Sequence, residues 1–235
     1  LWSAGISLVF LGLTGLFLVM DLDRPDRFLN VLLRPQWNSW LVKGGYTISI
    51  FGLLVTVWGA STLFGWSIPE MPLLWITAFF AIILAIYTAF LFAQAKGRDF
   101  WQSPTLPIHM LVHTVMAGVS IFAIVMVITG FESWMVILKN TMLAAIIVNL
   151  LTLTFELSIT HPTTAAKTVV YMITKGEYKW SFWILIVLLG NIVPLILLFV
   201  IPSTTTIVLI ALLVLMGIYD TEKIWIEAPQ RVPLA

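Results

Sequence analysis

The chain has 235 residues, of which 60% are hydrophobic and 10% charged, with a formal net charge of +1. An ordinary soluble domain carries about 25% charged residues, so this chain lacks the ionic groups to cover a globule, and a soluble enzyme is excluded. The absence of cysteine excludes disulfides, thiolate zinc and iron–sulfur clusters on this chain, the few histidines cannot ligate two haems, and the charge leaves no nucleic-acid footprint.

Apolar segments follow in chain order at about 2–20, 39–65, 71–95, 107–129, 133–158, 180–201 and 203–220. A bilayer span needs about 20 apolar residues. The pattern therefore predicts an all-α, polytopic transmembrane bundle of seven spans, forming one integral membrane domain over 1–235. Segment 163–178 is too short to span and is expected to lie along the interface as a helix. Nothing resembles a cleavable signal peptide. The chain begins at Leu1, inside an apolar run and without an initiator Met, which predicts further residues upstream.

The connections alternate in charge. Ten of the twelve Lys and Arg fall on one face, in the loop after the first segment, the loop around Lys96 and Arg98, the loop with Lys167 to Lys179, and the C-terminal tail. By the positive-inside rule that face is cytoplasmic. Trp37, Trp40, Trp101, Trp180, Trp183 and Trp225 mark an interfacial belt on this side. Trp2, Trp66, Trp75 and Trp134 mark the other.

Ionisable groups inside hydrocarbon are costly and so are functional candidates. In the fifth segment Thr141, Asn149, Thr152 and Glu156 fall within an arc of about 80° on a helix. This stripe reads either as a proton path ending at Glu156 or as an interhelical hydrogen-bond seam. Lys139 snorkels outward or joins the proton path. In the fourth segment His109 and His113 share one face at i, i+4. No H-E-x-x-H pattern or third metal ligand accompanies them, so proton exchange or hydrogen bonding is the favoured reading of His113. Lys43 either snorkels or pairs with Asp21. Pro194 cannot donate to the Gly190 carbonyl, which predicts a kink and a polar spot beside Asn191. Tyr87 lies roughly 12 Å from the charged loop by helix rise. At that depth its hydroxyl needs a partner, a backbone carbonyl or a quinone carbonyl.

The stretches DLDRPDRF and LLRPQWNSWLVKGGY resemble the NrfD/PsrC family of membrane quinone subunits, found in polysulfide reductase and alternative complex III. IYTAFLFAQAKGRDFWQSPTLP, KGEYKWSFWILIVLLGNIVPL and EAPQRVPLA are similar to further stretches of that family. The resemblance implies two adjoining four-helix bundles, with the family's first helix lying upstream of residue 1. It implies a quinone- or quinol-binding, multi-pass subunit of the prokaryotic cytoplasmic membrane, part of a respiratory oxidoreductase. The cofactor would be menaquinone or ubiquinone, with no metal on this chain. The partners would be an iron–sulfur electron-transfer subunit and a molybdopterin or other redox catalytic subunit. Tyr87 matches the position of the family's quinone-contacting tyrosine. By the same resemblance Asp21, Arg24, Lys43 and His113 surround the quinone, and Glu156, Thr152, Asn149 and Lys139 are the proton-path candidates. In the two named complexes the quinone site and docked subunits face outside, whereas the charge count here favours the cytoplasm.

Two alternatives belong to other classes. A secondary transporter or proton channel would use the interrupted sixth segment and the Glu156 stripe, but no matching second broken helix is present. A haem-bearing anchor would use His113 and needs an opposing histidine, for which only His161 remains.

Overall fold

The computed structural model describes residues 2–20, 33–130, 132–200 and 203–233. The described residues are helical and contain no strand. The helices are α1 (Trp2–Met20), α2 (Trp40–Phe64), α3 (Glu70–Ala93), α4 (Leu106–Thr129), α5 (Met135–Ser158), α6 (Thr164–Thr174), α7 (Ser181–Val200) and α8 (Thr204–Arg231). Short 3-10 turns precede α4 and α5, at Asp99–Gln102 and Glu132–Trp134.

Among the described residues six helices are long and apolar enough to cross a membrane: α1 to α5 and α7. The seventh expected segment forms the first part of α8, which runs on for 28 residues to Arg231. The predicted polar tail is thus helix. Its Ile224, Trp225 and Ala228 are buried, so protein packing supplies what the charged sequence hides. Segment 163–178 forms α6, with Ala166, Val169 and Ile173 buried along one side.

Turn chemistry sets the ends. Gly65 and Gly130 close α2 and α4 at positive φ, 66° and 72°, where a Cβ would be strained. Thr163 and Ser203 cap α6 and α8 by accepting from the amides of Ala166 and Thr206.

The chain divides into two compact units, residues 1–94 and 95–235. In the first, α2 packs on α1 and α3. Gly52 and Gly59 let α1 approach: a Cβ on either would lie 2.9 Å from Leu11 Cδ2 or 3.2 Å from Ala4 Cβ. Trp40 stacks on Phe90 with centroids 4.5 Å apart. The Trp40 amide donates to the Gln94 side chain at 3.1 Å, which joins the start of α2 to the end of α3.

The second unit packs α4, α5, α7 and α8 around an apolar core that includes Met116, Ala123, Met142, Ile146, Ala211 and Val214. The close crossing of α7 and α8 depends on glycine. A Cβ on Gly217 would sit 2.6 Å from the Gly190 Cα, so small residues admit backbone contact, as in tightly packed membrane helices. From Ser181 to Ile192 α7 is π-wound, and it returns to α winding at Val193, one residue before Pro194. The break expected there is therefore a change of winding; wide turns of this kind commonly mark functional positions.

Trp101 and Trp225 correct the interfacial belt. Both are buried, whereas Trp37, Trp180 and Trp183 are exposed. The cause is Pro229 inside α8. Proline has no amide hydrogen, so the Trp225 carbonyl four residues earlier lacks its helical donor. The Trp101 indole donates to that carbonyl at 2.7 Å. Arg98 donates to the Pro229 carbonyl at 2.8 Å and to that of Val232. Trp101→Phe replaces the buried indole by a smaller phenyl ring and orphans the carbonyl, so a loss of at least about 1–3 kcal/mol is expected, read as a lower melting temperature of the detergent-solubilised chain. Beyond it, Arg231 pairs with Glu177 and Glu227 and lies over the Tyr178 ring. The Glu177 hydrogen bond pushes the Arg231 pKa above its ordinary value.

Candidate functional site

The polar groups of the second unit converge on α4. The i, i+4 spacing of His109 and His113 sets their rings 4.2 Å apart, centroid to centroid. Each ring nitrogen Nδ1 meets a carboxylate from a different helix. His109 Nδ1 lies 3.3 Å from Glu156 Oε2 of α5, and both side chains are fully buried. His113 Nδ1 lies 2.7 Å from Glu222 Oε1 of α8. His113 is 4% exposed and Glu222 29%, so the cluster reaches the edge of the unit through Glu222.

Two asparagines extend it. Asn149 of α5 donates to Asn191 Oδ1 of α7 at 2.9 Å. Asn191 in turn donates to the Ile186 carbonyl at 2.9 Å, within the π-wound turns. Below His109 lies the Trp225 ring, 5.2 Å away, with Phe100 against it. The Trp101–Trp225 bond and the Arg98 contacts therefore also fix the floor of the cluster.

Several buried polar atoms have no hydrogen-bond partner among the described residues: Nε2 of His109 and of His113, Oδ1 of Asn149 and Oε1 of Glu156. Buried polar groups are nearly always paired, and an unpaired one usually points to a functional role, a water or an ion. The concentration of such atoms at one place separates this cluster from an ordinary packing seam.

Asn149, Thr152 and Glu156 are buried as the stripe predicts, and Thr141 is half-buried. Thr152 turns its hydroxyl back to the Val148 carbonyl at 2.8 Å. Lys139 is half-buried near the start of α5; no hydrogen bond or ion pair joins it to the cluster among the described residues. It lies ten residues from Asn149, about 15 Å along the helix. His161 packs on Phe100, 6.0 Å between centroids, apart from His113.

The first unit holds Tyr87 and Lys43. Tyr87 is buried on α3 and packs so tightly on α2 that a Cβ on Gly44 would come 2.2 Å from its Cε2. Only glycine admits the ring there. The tyrosine hydroxyl makes no hydrogen bond among the described residues. Lys43, half-buried, sets its Nζ 4.2 Å from the centre of the Trp40 ring, a cation–π contact. Asp21 and Arg24 lie outside the described residues.

Glu222 escaped sequence reading, and Trp225 was read as part of the interfacial belt. The apolar run ends near residue 220, and Asp220, Glu222, Lys223 and Glu227 read as a solvated tail. The available signal was the spacing of Thr221, Ile224, Trp225 and Ala228, a helical face on which all four residues are buried.

These features define a multi-pass helical membrane protein that holds a connected set of ionisable groups within its helices. The sequence profile of the polysulphide reductase NrfD family matches residues 2–222, and the chain belongs to that family. Its members are membrane subunits of quinone-linked oxidoreductases, polysulphide reductase among them, and pair with iron–sulfur and molybdopterin subunits in respiratory complexes. Comparison with curated proteins found no match to this chain.

Proposed function

We propose that this chain is the quinone-reactive membrane subunit of a prokaryotic respiratory oxidoreductase, exchanging electrons with a docked iron–sulfur subunit. The observation that carries the reading is Tyr87. It is a buried residue whose hydroxyl makes no hydrogen bond among the described residues, at the position that family resemblance assigns to quinone contact. A quinone presents a carbonyl oxygen, an acceptor that suits a phenolic donor. When bound, it supplies an exchange of electrons coupled to protons. The chain's own contribution is to hold the ring oxygen through Tyr87, with Gly44 of α2 admitting the tyrosine ring and Lys43 next to it in sequence supplying a positive charge. Asp21, Arg24 and His113 complete the set by family resemblance.

Protons have a separate candidate route in the second unit. Glu156 is the buried carboxylate, with Asn149 and Thr152 on its own helix. His109, His113 and Glu222 extend the set toward the edge. The absence of cysteine fits a division of labour in which the iron–sulfur centres sit on partners.

Purification of the chain from its native membranes in mild detergent tests this reading. An iron–sulfur protein is expected to copurify, and a solvent extract is expected to contain quinone. Recovery of the chain with neither, while it moves a solute without redox partners, would replace the reading with a transporter.

A further inference from the structure

We propose that His109, His113 and Glu222 form a binding site for a divalent transition-metal ion of the zinc type, joining α4 to α8. The sequence offers no third ligand for the two histidines; the fold supplies one. The three ligand atoms lie within 4.8 Å of one another. Two imidazoles and one carboxylate are a ligand set that suits zinc, whereas magnesium and calcium favour shells of oxygen.

Independent observations point to an ion. The Nε2 atoms of both histidines are buried and without hydrogen-bond partners. His109 engages Glu156 through Nδ1, which leaves Nε2 as its free donor atom. A carboxylate behind the far nitrogen is what orients a metal-bound imidazole and raises its basicity. Glu156 is thus a positioning residue for the site.

Charge and access agree with this. No Lys or Arg is paired with Glu156 or Glu222 among the described residues. Glu222, at 29% exposed, gives the ion a way in. Tetrahedral zinc holds its donors about 3.3 Å apart, so the 2.7 Å contact between His113 and Glu222 must open while wider separations, up to 4.8 Å, close. One coordination position stays open for water. The site requires neither Tyr87 nor any redox partner, so its failure would leave the quinone reading untouched.

The test uses the full chain in detergent, free of any polyhistidine tag, stripped with chelator and then dialysed against zinc ion. One zinc per chain is expected by mass spectrometry. The zinc K-edge absorption spectrum of the unaltered protein is expected to show imidazole scattering, with bonds at about 2.0–2.1 Å. Glu222→Gln and His113→Ala should each weaken zinc retention at least about tenfold, while Lys139→Ala leaves it unchanged. Retention below about a tenth of an ion per chain, or bound zinc without imidazole scattering, overturns the proposal. Because the spectrum is taken on the unaltered chain, the result stands even if a variant folds poorly.

Discussion

Tyr87→Phe is expected to lower quinol turnover of the assembled complex about tenfold, the equivalent of one hydrogen bond of about 1–1.5 kcal/mol. Assembly and thermal stability should change little. The ring that fills the space against α2 is kept, and the lost oxygen has no hydrogen-bond partner among the described residues, so none of these is orphaned. A merely structural tyrosine would behave differently, with a lower melting temperature and unchanged turnover. Gly44→Ala provides the complementary measurement. Its Cβ would meet the Tyr87 ring at 2.2 Å and 2.5 Å, so the ring must move. Overpacking of this kind costs about 1–3 kcal/mol. Turnover should fall together with stability, and the double variant should be no slower than Gly44→Ala alone if both act through the same hydroxyl. Normal turnover in Tyr87→Phe would remove this residue from the quinone site.

The helices were legible because lipid enforces a simple rule: backbone groups must bond within the span, and side chains must be apolar over its length. The expected and observed limits of α1 to α5 and α7 agree within two residues. The same rule explains what stayed hidden. A membrane helix is apolar on the face toward lipid and on the face toward its neighbours, so its pattern does not name its partners. His113 was visible as a buried histidine, but not its bond to Glu222, which comes from a helix more than a hundred residues away. The Gly190–Gly217 contact was hidden for the same reason. The C-terminal half of α8 was misread because Pro229 and the surrounding charges signal an end. Its structure depends on a distant donor, the Trp101 indole, that no local pattern reveals. Trp101 and Trp225 then left the interfacial belt for the core.

The stripe on α5 was legible as a stripe because its members recur on one helical face. Its meaning was not. Asn149 to Asn191 is an interhelical hydrogen bond, and Glu156 meets His109 in a buried pair; the pair serves as a structural tie or as a proton carrier. Replacement of Glu156 distinguishes them. Glu156→Gln keeps the shape and can still accept from His109, so the fold should lose no more than about 1 kcal/mol. It cannot take up a proton. In a chelator-treated complex reconstituted into vesicles, proton movement coupled to quinol oxidation should fall at least about tenfold in this variant, the scale of one general acid–base group. Electron flow measured with a protonophore present should persist. Glu156→Ala should be worse in a different way. It leaves His109 Nδ1 buried without a partner, at a cost of about 1–3 kcal/mol, and should lower the melting temperature as well as proton movement. If Glu156→Gln moves protons normally while Glu156→Ala merely unfolds more easily, the carboxylate is a structural tie between α4 and α5, and the proton route must run elsewhere.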